Sequence, residues 1–185
     1  MALFVTGLIL FFGVHLMTVT PVLRRAVCGS VPDQARRGLV ALLSLAGVVL
    51  ICLGWHAVPA TPLFMPVAAA IAAAPVLVPC ALILFLIGGI GFKGYIRRYL
   101  HHPMLMGAVL WSGVHLVANG GLRETILFGS FLAFSLYALG VVFGCGKRAS
   151  FAPSLKWDVI GIVIGLVVAI GVMHSHRILF GVPVI

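Results

Sequence analysis

Residues 39–55 read LVALLSLAGVVLICLGW, seventeen positions with one hydroxyl and no charge. Such a run approaches the roughly 20 apolar residues that carry a helix across a hydrocarbon layer of about 30 Å. Five more runs of the same kind flank it. The spacing predicts helices over about 2–22, 38–56, 66–90, 103–118, 122–144 and 157–174, an all-α, polytopic transmembrane bundle of about six helices. Together they use most of the 185 residues, so the chain reads as a single integral-membrane domain (1–185) with no room for a separate soluble one.

Composition agrees. The chain is 63% hydrophobic and 8% charged, with a mean hydropathy of +1.26. A soluble domain of this size needs more surface charge to stay dispersed. The net charge of +9 does not indicate nucleic acid, because the basic residues lie between the apolar runs. The first run has no basic leader and no small-residue cleavage site, and reads as a retained helix. Pro75 and Pro79 predict a kink in the third, and Gly161 and Gly165 form a GxxxG pair in the sixth that suits close backbone packing.

Lys and Arg counts set the orientation. With the N-terminus outside, Arg24, Arg25, Arg36, Arg37, Lys93, Arg97, Arg98, Lys147, Arg148 and Lys156 all fall inside, against Arg123 and Arg177 outside. That asymmetry predicts six spans with both termini periplasmic in a bacterial inner membrane.

The acidic residues are Asp33, Glu124 and Asp158, all expected near the interfaces. No carboxylate pair for acid–base work and no carboxylate proton relay is therefore expected in the membrane. Cys28, Cys52, Cys80 and Cys145 form neither CxxC nor CxxCH, and read as buried apolar thiols.

Histidine is the ionisable residue inside the runs. His15 lies about 18–20 Å along the first helix from outside, and His115 about 18 Å along the fourth from inside, at 1.5 Å per residue. Their Cα atoms then fall within roughly 6–9 Å in depth in a 30 Å layer. Side chains lean toward the helix N-terminus, so the two rings converge. Two imidazoles on facing helices can hold a haem iron axially; each can equally be a neutral core residue donating to a carbonyl. Zinc fits less well, lacking further ligands nearby.

Ser112 and Asn119, at i−3 and i+4 from His115, can orient its non-ligating nitrogen or serve helix packing. Arg97, Arg98 and His102 can meet haem propionates or an anionic lipid head group, or serve topology alone. His101 reads as solvated. His56, His174 and His176 fall at outer helix ends, where His174 and His176 beside Arg177 give little evidence of a metal site.

Over residues 102–139, HPMLMGAVLWSGVHLVANGGLRETILFGSFLAFSLYAL, the chain resembles the NnrU family of membrane proteins. The resemblance is carried by HPM at 102–104, Trp111, the His115-Leu-x-Ala-Asn119-Gly run, FGSF at 128–131 and GLILFFGVHL around His15. That family is similar to 15-cis-zeta-carotene isomerase, a haem b enzyme. The resemblance implies haem b, with His15 and His115 as the iron's ligands. Where the isomerase can use a cysteine three residues before the second histidine, this chain has Ser112, which speaks against a ligand switch. The family's association with nitrite and nitric oxide reductases implies a redox or assembly role in denitrification, with a redox partner. The alternatives are cis–trans isomerisation of a hydrophobic polyene and a non-haem scaffold or transporter. The scarcity of intramembrane charge argues against ion-coupled transport.

Overall fold

A computed structural model describes residues 1–28 and 31–180, apart from the side chains of residues 28, 179 and 180. Helices are the regular structure of the described residues, with one isolated bridge pairing Pro62 and Gly121. The six apolar runs become α1 (Ala2–Val19), α3 (Asp33–Gly54), α4 (Ala68–Leu86), α6 (Pro103–Ala118), α7 (Leu122–Gly144) and α8 (Leu155–Phe180). Two short helices lie in the loops between them, α2 (Pro21–Cys28) and α5 (Tyr95–Leu100). Five of the six are long and apolar enough to cross a membrane; α6 is a shorter apolar helix of 16 residues, about 24 Å. Thr20 separates α1 from α2, where the sequence suggested one helix to residue 22. α3 starts five residues ahead of the expected boundary, with Asp33 in the first turn where a carboxylate favours the helix dipole. α4 continues through Pro75 and Pro79, then changes to a π-helical turn over Ile87–Gly91.

The principal packing pairs run in one row, α3 on α1, α1 on α7, α7 on α6, α6 on α4 and α4 on α8. Glycine lets three of these pairs approach closely. A Cβ on Gly7 would lie 2.7 Å from the Gly47 carbonyl oxygen, and one on Gly54 would run into the Phe4 backbone. One on Gly107 would lie 2.6 Å from the Ala81 carbonyl oxygen, joining α6 to α4. The GxxxG pair does the same for α8, where Cβ atoms on Gly161 and Gly165 would lie 2.7 and 2.6 Å from Ile87 and Ile83 side-chain carbons. The α1–α7 junction is different: it is made through aromatic rings, which hold the helices apart.

A row of helices leaves wide outward faces, and these are apolar. Ile9, Leu53 and Val167 are each about two-thirds exposed (69%, 67% and 65%). Such a coat suits hydrocarbon rather than water, and the chain is a multi-pass membrane protein. The same geometry corrects the expectation of buried thiols: Cys52, Cys80 and Cys145 are exposed, while the side chain of Cys28 lies outside the described residues. A thiol is apolar enough to face lipid without a partner.

The two ends of the bundle differ in charge. At one end Arg24, Arg25, Arg36 and Lys147 line a single cleft. At the other, Arg123 lies over Trp55, and residues 61–67 fold over the end of α6, with the Leu63 and Val67 amides donating to Gly120 and Val117 carbonyls. This segment covers the short α6. Asp158 sits at the start of α8, 4% exposed, and accepts from the Tyr95 and Ile96 amides that open α5. Between α5 and α6, His101 has φ +61° and ψ −48°, and the His102 amide donates to the Leu100 carbonyl at 2.7 Å. That is a classic γ-turn, a strained conformation that reverses the chain before Pro103.

Candidate functional site

The α1–α7 junction is an aromatic seam. On α7, Phe128, Phe131 and Phe134 recur every three residues and so share one face. Phe131 packs against Phe11 and Phe12 of α1 (centroids 5.3 and 4.9 Å) and against Trp111 of α6 (5.3 Å). One side chain therefore joins three helices.

His15 and His115 lie at the two ends of this seam. His15 stacks on Phe11 at 4.4 Å and meets Phe134 edge-on at 5.9 Å. His115 lies 5.3 Å from Trp111 and 4.7 Å from Phe128. Each ring leans on the aromatic residue four positions before it, as helical side-chain direction requires. α1 and α6 do not form a principal packing pair, as facing helices would; α7 joins them, with Phe131 between Phe11 and Trp111. Measured on α7, the two contacts are the six residues from Phe128 to Phe134 apart, about 9 Å.

The hydrogen bonds of the two imidazoles match. His15 Nδ1 lies 2.7 Å from the Phe11 carbonyl oxygen, and His115 Nδ1 lies 2.8 Å from that of Trp111. A carbonyl only accepts, so Nδ1 of each ring is the donor, and in the neutral ring Nε2 then carries the lone pair. That is the second interaction a metal-binding imidazole ordinarily makes. His174 makes the same bond to Ile170, but it is exposed on α8. Half-burial among aromatic rings sets His15 and His115 apart from it.

Ser112 and Asn119 sit beside His115 but do not bond its ring. Ser112 is fully buried and donates to the Ala108 carbonyl; Asn119 Nδ2 donates to the His115 carbonyl at 2.8 Å and closes α6. The carbonyl of Trp111 takes the role expected of them, because a helical side chain reaches back to its own preceding turn.

Arg97, Arg98 and His102 are brought together, away from the seam. Arg97 donates to Gly91 O at 2.6 Å and lies over Phe151; Arg98 donates to Ala149 O at 2.7 Å, and His102 Nε2 to Lys147 O at 2.7 Å. They clamp the α7–α8 loop and the π-turn to α5. His101 joins the clamp, its Nδ1 accepting from the Ala149 amide, rather than lying solvated.

A cleft of about 480 Å³ opens beside His15, lined also by Thr18, Arg36, Arg37, Val40, Ala41 and Ser44. Among the described residues the buried Ser44 hydroxyl has no hydrogen-bond partner. Arg36, Arg37 and Ser44 are the residues that sequence reasoning missed here, since only the α1–α3 pairing brings them to His15. Among the described residues no three His, Cys, Asp or Glu side chains come together as a metal site.

No curated protein and no solved structure matches the chain. The family model described as NnrU protein matches residues 3–184. The chain, almost end to end, belongs to the NnrU family.

Proposed function

We propose that this membrane protein binds haem b between His15 and His115. The observation that carries the reading is the matched state of the two imidazoles: each is half-buried at an aromatic seam, with Nδ1 bonded to its own helix and Nε2 without a hydrogen bond among the described residues. The rest of the chemistry fits a porphyrin. The rings of Phe11, Trp111, Phe128, Phe131 and Phe134 offer flat apolar surface, and Ser44 holds a buried hydroxyl near His15. When bound, haem b would supply a one-electron couple, with His15 and His115 as the residues that would hold it. The chain's part is to hold both imidazoles in one tautomer and exclude water.

Together with the family resemblance, this favours a redox or assembly role beside denitrification enzymes, in a bacterial inner membrane with the basic end inward. Polyene isomerisation is the second reading, favoured by the cleft beside His15. Against it, the Ser112 hydroxyl is fully buried and committed to Ala108, so it offers no alternative ligand. The test is a pyridine haemochrome assay on protein purified in detergent from haem-replete cells. The expected result is a haem b spectrum at about one haem per chain, the stoichiometry of a single axial pair. A colourless preparation, or a spectrum of another haem type, contradicts the proposal.

A further inference from the structure

The three residues that the sequence offered to the haem propionates, Arg97, Arg98 and His102, are held by backbone carbonyls in the loop clamp. A porphyrin in this seam still carries two carboxylates, and burying them unpaired in low dielectric is costly. The cleft beside His15 has the complementary chemistry. Arg37, Val40, Ala41 and Ser44 recur at i, i+3, i+4 and i+7, so one face of α3 presents a cation, two apolar side chains and a hydroxyl to the same space as the imidazole. Arg36 joins them, its side chain 15% exposed, and its Nη2 contacts Asp33 Oδ1 at 2.5 Å. That contact fixes the guanidinium while its other N–H groups stay available, and Asp33 is mostly solvent-exposed at 70%. Ser44 adds a buried hydroxyl with no partner of its own among the described residues.

We infer that Arg36 and Arg37 receive the haem carboxylates in this cleft, with the Ser44 hydroxyl as a further donor; the inference rests on the haem reading above. Arginine suits the task because its planar fork can bind a carboxylate through two N–H groups. The assignment also gives α3 a direct part in the site, although it carries neither iron ligand.

The test compares two ligands on the full chain. Apoprotein in detergent is reconstituted with haem b and with haem b dimethyl ester, which keeps the iron and ring but lacks both carboxylates. The rate of release to excess apomyoglobin is then measured. The wild type is expected to release the ester about tenfold faster or more, the change that follows from losing hydrogen bonds to a charged group. In R36Q/R37Q the two ligands should leave at nearly the same rate. R36K/R37K, which keeps the charge, should restore part of the difference. Equal release of the two ligands from the wild type overturns the inference without any variant. So does an ester-to-acid difference that persists in R36Q/R37Q. A wild type that gives a low-spin spectrum with neither ligand contradicts the haem reading itself, and the inference falls with it.

Discussion

His15→Ala and His115→Ala should each abolish the low-spin haem spectrum and weaken haem retention by more than about 100-fold, beyond the 10–100-fold that follows from losing only a partner of a ligand. The reason is geometric. Neither helix has a second imidazole, thiol or carboxylate beside these positions; Ser112, the nearest polar side chain on α6, is spent on the Ala108 carbonyl. Removing either ring leaves no unsatisfied buried group, because the Phe11 and Trp111 carbonyls keep their helical bonds. Both variants should therefore fold, with helical circular dichroism close to the wild type. Added imidazole should restore low-spin absorption by entering the space left by the side chain. His174→Ala, which removes an exposed ring with the same backbone bond, should leave the spectrum intact. Absorption spectra of the purified variants, with and without imidazole, decide the matter. Full retention of the wild-type spectrum in both histidine variants would remove the ligand assignment.

The second large effect concerns packing. Gly54→Ala should destabilise the bundle by about 3 kcal/mol or more, at the upper end of overpacking costs. A Cβ there would meet the Phe4 amide and Cα, and backbone cannot yield as a flexible side chain can. Phe4 is itself fully buried and anchors a cluster with Leu8, Ile51 and Val58, so displacing it would loosen α1 from α3 and shift His15 relative to Arg36 and Arg37. Gly140→Ala on α7 is the contrast. A Cβ there meets nothing within 4 Å, and the better helix propensity of alanine should leave stability unchanged or raise it by at most about 1 kcal/mol. Unfolding in mixed detergent followed by circular dichroism compares the two. Equal stability of both variants would contradict the packing account.

The six apolar helices, five of them long enough to span a membrane, were legible in the sequence because length and hydropathy are local properties. A stretch such as residues 39–55 has one stable solution in a bilayer. His15 and His115 were legible for a related reason: an imidazole within an apolar run is costly enough to stand out. The sequence could not tell which helices become neighbours. The pairing of α1 with α3 brings Arg36, Arg37 and Ser44 to His15, and no spacing in the chain encodes it. Partners that are backbone carbonyls leave no residue-type signal, so the clamp of Arg97, Arg98 and His102 was indistinguishable from a set of free cations. The Phe128, Phe131 and Phe134 stripe was visible as a helical repeat, and a site was recognisable in it only once His15 and His115 were found at its two ends.

Electron–nuclear double resonance on the ferric protein, grown with 15N-histidine in otherwise unlabelled medium, reads the iron's axial nitrogens directly. Two 15N imidazole couplings per low-spin iron are expected in the wild type, and one should be lost in each of His15→Ala and His115→Ala once unlabelled imidazole has restored their low-spin state. A single coupling in the wild type, or a pair that survives both substitutions, would contradict the account.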